Sequence, residues 1–163
     1  METGEKRLCG QQAVWNYEEE NGLLTIQGVG AMEDYTEPEQ VPWNTLIQEI
    51  KTVVIRNGIT TVGDYAFAGC SSLQEVTLPG SVEIVGVFSF KGCTGLREIV
   101  IPEGVRVLAS KAFQFCSALK KVYLPSTLID VDMRAFGKCE SLEEVFYQGS
   151  EEQWEQIMIS RSA

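Results

Sequence analysis

Five cysteines are the residues of this 163-residue chain whose type and spacing point most directly to chemistry. Four of them recur at a constant interval of 23 residues, namely Cys70, Cys93, Cys116 and Cys139. Thiolates can ligate zinc or pair as disulfides, whereas neutral thiols pack as small apolar groups. A constant interval predicts a ladder with steps of ~4.8 Å, in which parallel side chains neither surround one ion nor meet end to end. The spacing therefore favours buried, reduced cysteines with a structural role.

The other reactive side chains give little support for catalysis. The chain has no histidine, so it lacks the usual general base, the partner of a serine or cysteine nucleophile, and the commonest metal ligand. Carboxylates such as Asp64, Glu75 and Glu144 match no calcium-loop motif, and we expect them to be solvated. Gly28 and Gly30 lack the third glycine of a dinucleotide-binding motif and are expected to turn the chain after a strand. The sequence predicts a protein that is not an enzyme and has no metal or cofactor.

The charge balance is strongly acidic, with 13 Lys and Arg against 23 Asp and Glu and a formal net charge of −10. We expect this charge to be spread along the whole chain, leaving no basic patch for nucleic acid or anionic lipid. Apolar runs fall far short of the ~20 residues that a membrane-spanning helix needs. The first six residues are polar and lack the hydrophobic stretch that would predict a secretory signal. We therefore expect no nucleic-acid partner, no membrane insertion of this domain, and a chain excised from a larger protein.

The interval of 23 residues extends beyond the cysteines and organises most of the sequence. Four lines of that length fit without insertion, beginning at Ile55, Leu78, Ile101 and Leu124. In each line the apolar pattern predicts a short strand, a turn, a second short strand and a helical turn, with Pro79, Pro102 and Pro125 at the turn in three of the lines. Such coils bury their apolar columns only against their neighbours. The predicted fold is of the α/β class: a right-handed leucine-rich repeat solenoid, a short curved horseshoe with a parallel β-sheet face, short helical turns opposite, and a cap at each end.

The N-terminal flank has the features expected of a cap. We assign residues 1–50 to it, within a single domain of residues 1–163. The pattern predicts a hairpin over residues 11–28 with a two-residue Asn21-Gly22 turn, followed by a short helix. Trp15 and Trp43 are expected to pack in this cap. We expect Cys9 to be buried there as well, with an intermolecular disulfide as the alternative.

The C-terminal flank has the features of a second cap. Residues 51–147 hold a first rung and the four repeats, and we assign residues 148–163 to a helical cap. Ser150 and Gln153 have capping-box spacing. Trp154 lies on the apolar side of the predicted helix, which is expected to cover the last coil.

The outward positions of the predicted main sheet are the best candidates for a binding site, because the concave face of a solenoid offers an extended surface. One outward column changes from aliphatic to aromatic toward the C-terminus, and the column beside it is charged. The six residues are Val100, Tyr123, Phe146, Glu98, Lys121 and Glu144. Exposed aromatics with a charged rim are typical of an interface. The alternative is that they only pack across neighbouring strands.

The recurring string at residues 62–79, Val-Gly-Asp-Tyr-Ala-Phe-Ala-Gly-Cys-Ser-Ser-Leu-Gln-Glu-Val-Thr-Leu-Pro, resembles the BspA-like leucine-rich repeats of bacterial surface proteins. Flanking segments at residues 24–32 and 147–154 are similar to segments that accompany these repeats, so the resemblance covers roughly residues 9–157. The sequence departs from the pattern at Phe115, Asp132 and Lys138, where other lines carry small residues. We therefore expect the third and fourth coils to be locally distorted or specialised.

The resemblance implies a role outside the cell. Members of the family are typically secreted or surface-attached, often as one module of a larger chain, and some act as adhesins. It implies a non-catalytic, monomeric module that binds a protein or glycan, such as host matrix or another cell surface. The alternative function is a structural spacer without a ligand of its own.

Overall fold

A computed structural model of the chain describes residues 7–132 and 134–162, with the side chains of residues 158–162 outside the description. The strands are β1 (Gln12–Glu18), β2 (Leu23–Ala31), β3 (Thr52–Ile55), β4 (Ile59–Val62), β5 (Glu75–Thr77), β6 (Ile84–Val85), β7 (Glu98–Val100), β8 (Val107–Leu108), β9 (Lys121–Leu124), β10 (Asp130–Val131) and β11 (Glu144–Tyr147). Short 3₁₀ helices cover Pro38–Gln40 and Asn44–Leu46, and helix α1 covers Glu151–Ser162.

The strands from β2 onward stack as parallel rungs, which confirms the solenoid. In the main sheet β2, β3 and β5 pair in order, and β7, β9 and β11 continue it. The second sheet is formed by β2, β4, β6, β8 and β10. Partners such as Val53 with Val76, or Val122 with Val145, lie one period apart. Among the described residues no strand pairing joins β5 to β7, so the main sheet is interrupted between the second and third rungs.

Tight turns close the third side of each coil, where the sequence predicted one short helical turn. Bonds from Ala66 to Gly63 and from Cys70 to Phe67 have the i to i−3 spacing of a 3₁₀ turn. Tyr65 and Gly69, however, have φ values of 62° and 80°. A right-handed helix cannot continue through left-handed residues. This side is therefore a series of separate turns.

The departures at Phe115, Asp132 and Lys138 leave the backbone pattern intact, so the expected distortion is not found. Phe115 and Lys138 keep the left-handed conformation of Gly69 and Gly92, with φ values of 62° and 60°. The N–H of Asp132 donates to the Leu108 carbonyl at 3.0 Å, as Gly86 does to Val62. These three residues therefore change the surface of the coils and not their path.

Stacked aromatic rings run through the core along the solenoid axis. Phe67, Phe90, Phe113 and Phe136 follow one another with ring centroids 5.1–5.3 Å apart. Trp43 continues the stack at 5.5 Å from Phe67 and is fully buried, with its indole N–H donating to the Ala66 carbonyl at 2.9 Å. Trp43 thus satisfies its one polar group while closing the column.

The N-terminal hairpin is confirmed, but its turn is longer than predicted. Glu18 pairs with Leu23, so four residues connect the strands, with Gly22 left-handed at φ 63°. Strand β2 then serves both sheets, because its first half pairs with β3 and its end pairs with β4. Gly28 and Gly30 lie inside β2, not after it, at positive φ where the strand changes partner. Their role is to bend the strand.

The C-terminal helix is capped as predicted. The Ser150 N–H donates to Gln153 Oε1 at 2.7 Å, and the Gln153 N–H donates to Ser150 Oγ at 3.1 Å. Helix α1 packs against β10, with Ile157 buried and Trp154 against Tyr147 at 5.1 Å. It covers the second-sheet side of the last coil and, through Trp154, the end of β11 at Tyr147. Cover of the whole coil was expected, yet Val145 of the main sheet remains 51% exposed.

Candidate functional site

The outer face of the main sheet brings the predicted site residues together at its C-terminal end. Parallel register aligns Val100 with Tyr123 and then Phe146, and the neighbouring column aligns Glu98, Lys121 and Glu144. Alternation along each strand directs these side chains outward, because their strand neighbours such as Ile99 and Val122 fill the core. The six residues therefore share one surface, which we call the aromatic patch.

The aromatic patch is built around one stacked pair. The rings of Tyr123 and Phe146 are nearly parallel at 17°, with centroids 4.9 Å apart. Phe146 is 40% exposed and Val100 is 53% exposed, whereas Tyr123 is half-buried between them. Cross-strand packing thus occurs, as the alternative interpretation required. Even with this packing, Phe146 and Val100 leave a large apolar surface exposed to water.

A shallow cavity of about 520 Å³ lies elsewhere, beside α1, but a smaller one of about 260 Å³ borders the aromatic patch. The smaller cavity lies beside Tyr123 and Val100, and Pro102, Pro125 and Glu103 complete most of its wall. Rigid prolines and an aromatic ring form a preorganised apolar depression. An aliphatic side chain or the apolar face of a sugar ring would fit such a surface.

Carboxylates dominate the rim of the aromatic patch. Lys121 Nζ lies 3.9 Å from Glu144 Oε1, so the positive charge of Lys121 is balanced by the neighbouring carboxylate. Both side chains are close to half exposed, and a pair in that setting contributes little to stability. Glu98 and Glu103 add further negative charge near the cavity. The rim therefore favours a ligand that carries positive charge beside its apolar part.

In the cysteine ladder Cys70, Cys93 and Cys116 are buried and Cys139 is partly buried, and all five cysteines of the chain are free thiols. The Sγ–H of Cys93 donates to the Phe67 carbonyl at 3.4 Å, and Cys116 and Cys139 make the same contact with Phe90 and Phe113. Burial raises the pKa of Cys70 to about 12, and burial together with Glu33 raises the pKa of Cys9 to about 12. Neutral thiols at neutral pH are poor nucleophiles and poor metal ligands.

The described residues hold no cluster of three or more His, Cys, Asp or Glu side chains placed to bind a metal ion. Burial raises the pKa of Asp64, and the Val87 N–H that donates to its Oδ1 at 2.8 Å opposes this rise. This bond joins two coils at a turn. Within the part of the chain that the structure describes, no helix is long and apolar enough to cross a membrane.

Two surface features were missed by the sequence reasoning. The second sheet exposes Ile84 at 41% and Ile129 at 52% beside a cavity of about 150 Å³. The turn side exposes Phe115 at 46%, and the Nζ atoms of Lys91 and Lys111 lie over the Phe88 ring. Counting the charged residues of each segment, and not only those of the whole chain, would have indicated the second feature.

Comparison with protein families and solved structures gives a consistent result. A family model described as "BspA type Leucine rich repeat region" matches residues 46–162 in six copies. Among curated proteins no match is found. A leucine-rich cell surface protein from Faecalibacterium prausnitzii is 23% identical, with a TM-score of 0.73 over 89% of this chain and 40% of its own.

Two further solved structures share the fold. A leucine-rich repeat protein from Eubacterium ventriosum is 22% identical, with a TM-score of 0.66 over 89% of this chain and 44% of its own. The pneumococcal vaccine antigen PcpA is 23% identical, with a TM-score of 0.59 over 64% of this chain and 26% of its own. The chain therefore spans less than half the length of these proteins.

Proposed function

The chain belongs to the BspA-type leucine-rich repeat family, and from that premise we propose that it is a recognition module of a bacterial surface or secreted protein. In this role it binds a protein or glycan through the aromatic patch. The solenoid is a scaffold of a kind that is generally non-catalytic and generally mediates protein interactions. We assign the module no chemistry on its ligand.

The observation that carries the proposal is the stacked Tyr123–Phe146 pair beside an apolar depression. Aromatic side chains supply a large rigid contact area, and they are enriched among the residues that dominate binding energy. Val100 extends the apolar surface by one rung, and Lys121 and Glu144 provide a polar rim. This arrangement matches the apolar centre and polar edge of protein interfaces.

The test compares two double variants that remove the same kind of exposed apolar surface. Tyr123→Ser with Phe146→Ser changes the aromatic patch, whereas Ile84→Ser with Ile129→Ser changes the second sheet. Wild-type protein is screened by surface plasmon resonance against purified extracellular-matrix proteins and by a glycan array. We expect a ligand whose affinity falls at least thirtyfold, about 2 kcal/mol, in the first variant and less than threefold in the second.

Circular dichroism and thermal melting verify that both variants fold. Equal binding by the folded first variant and the wild type would overturn the assignment of the site. If the wild type binds no component of either panel, the recognition proposal fails. The domain would then be a spacer that holds other parts of a longer chain away from the cell, in keeping with the greater length of its structural relatives.

A further inference from the structure

We propose that the turn side of the solenoid is a second binding surface, and that it recognises an acidic polysaccharide. The surface consists of Tyr65, Phe88, Lys91, Lys111, Phe115 and Lys138, and we call it the turn-side stripe. It lies on a different side of the coil from the aromatic patch and does not depend on it.

Residues 84–129 carry a net positive charge, opposite in sign to the charge of the whole chain. Residues 84–129 contain six basic and two acidic side chains, although the whole chain has a net charge of −10, and two of the six bases, Lys91 and Lys111, lie in the turns. The two acids, Glu98 and Glu103, belong to the main-sheet side, so the turns between residues 86–95 and 109–118 carry Lys91 and Lys111 without an acidic residue. The expectation of evenly spread charge is therefore wrong for these coils. A local positive field on an acidic protein indicates an anionic partner.

Aromatic rings and lysines are interleaved along the turn-side stripe. Tyr65 packs on Phe88 with ring centroids 4.9 Å apart. Lys91 Nζ and Lys111 Nζ lie 4.9 and 5.4 Å from the centre of the same Phe88 ring. One ring thus holds two ammonium groups from successive coils close together. Cations held in place lose less conformational freedom when they bind a ligand.

Backbone strain supplies an independent observation. In the described part of the chain, all five non-glycine residues with positive φ belong to two columns of these turns: Tyr65, Phe88, Lys111, Phe115 and Lys138. Glycine occupies the equivalent position in two coils, as Gly69 and Gly92, and makes the same turn without strain. Phe115 is both strained and 46% exposed. Coil closure requires the left-handed turn, but glycine would make it without strain, and strained residues of this kind concentrate at functional sites.

The chemistry of the turn-side stripe favours a carboxylated or sulfated sugar polymer. The C–H face of a sugar ring can pack on the exposed ring of Phe115, and its acid group can pair with a lysine of the turn-side stripe. Successive coils repeat at ~4.8 Å, close to the length of one hexose, so a row of sugars can follow the stack. Nucleic acid carries a denser charge, which the remaining acidic surface opposes.

The probes are polygalacturonate and heparin, with dextran as the neutral sugar and double-stranded DNA as the alternative polyanion. Binding to each is measured by biolayer interferometry at several salt concentrations. We expect salt-sensitive binding to at least one acidic polysaccharide, none to dextran, and at least tenfold weaker binding to DNA. Lack of binding to both acidic polysaccharides, or equal binding to DNA, would overturn the proposal.

Variants then locate the site on the bound polysaccharide. Lys91→Gln with Lys111→Gln should weaken binding at least tenfold, whereas the charge-matched control Arg56→Gln with Lys120→Gln should change it less than threefold. Phe115→Gly should weaken binding about fivefold while leaving the melting temperature equal or higher, because glycine removes the strain. Equal losses in the two charge variants would show a general charge effect and contradict the site. Tyr123→Ser with Phe146→Ser should bind these probes normally, which separates this surface from the aromatic patch.

Discussion

The two ends of the solenoid use similar apolar residues and differ in how they are covered. At the N-terminal end Trp43, Cys9, Leu24 and Ile26 are completely buried. At the C-terminal end Val145 is 51% exposed, although Val53 and Val122 in the same column are fully buried. The difference teaches that burial in a repeat protein is set by the neighbour on each side and not by the repeat itself.

The reason lies in the elements that cover each end. Strand β2 pairs with both β3 and β4, so the N-terminal cap closes both sheets of the first coil. Helix α1 packs against β10 and contacts β11 at Tyr147 through Trp154, which leaves Val145 uncovered. The outer edge of β11 and the apolar side chain of Val145 remain open beside it.

Truncation of the tryptophan at each end is the strongest way to test this difference. Trp43→Ala should lower the free energy of unfolding by about 3–5 kcal/mol, because it empties a fully buried site and leaves the Ala66 carbonyl without its donor. Trp154→Ala, a half-exposed residue on α1, is the matched variant and should lose less than half as much. Urea unfolding followed by circular dichroism measures both. Equal losses would show that the two ends are equally closed.

The valine column gives a second test within one repeat position. Val122→Ala should lower the free energy of unfolding by about 2 kcal/mol, since two buried methyl groups are removed and a cavity remains. Val145→Ala makes the same chemical change at the open end, and its loss should stay below about 0.5 kcal/mol. Denaturation under identical conditions gives both values. A loss at Val145 as large as that at Val122 would mean that the open end is covered in solution.

Titration of the buried thiols tests how completely the closed end excludes water. Cys9 and Cys70 have pKa values of about 12 in the folded protein, against 9.0 for an exposed thiol. Above pH 9 the unfolded chain loses these protons first, so stability is fully present below pH 9 and falls as pH rises toward 12. Each thiol contributes a slope of about −1.4 kcal/mol per pH unit in this window. In Cys9→Ala the slope should be shallower by one such contribution, and an unchanged slope would argue against burial of this thiol.

The capping box provides the smallest expected effect. Ser150→Ala removes the hydroxyl that accepts the Gln153 N–H, and the free energy of unfolding should fall by about 1 kcal/mol. Ser150→Asn, which retains a capping side chain, is the control and should restore most of the stability. A loss of several kcal/mol on Ser150→Ala would instead indicate that α1 supports the entire last coil.

Much of the architecture could be predicted from the sequence because the repeat is local and periodic. The interval between cysteines placed Cys70 and Cys93 in a ladder, and the alternation around Val122 placed one face in the core. The register of Val100, Tyr123 and Phe146 followed from the same interval. The capping box at Ser150 also has a fixed spacing. Each of these depends on residues within about one period, so sequence distance translates directly into position.

Tertiary structure alone decided which of those residues meet water. The exposure of Val145 depends on where α1 packs, and the dual pairing of β2 depends on contacts with both sheets. The left-handed turns at Tyr65 and Phe115 arise because coils must close within 23 residues and still bond to the next coil. The basic turns and the acidic flanks come to lie on separate sides of the molecule only when the chain is wound into coils. The sequence by itself determined the coil and its apolar columns. The stacked coils decided which side chains are covered, which backbone positions are strained and where charges group, because each of these depends on contacts between neighbouring coils.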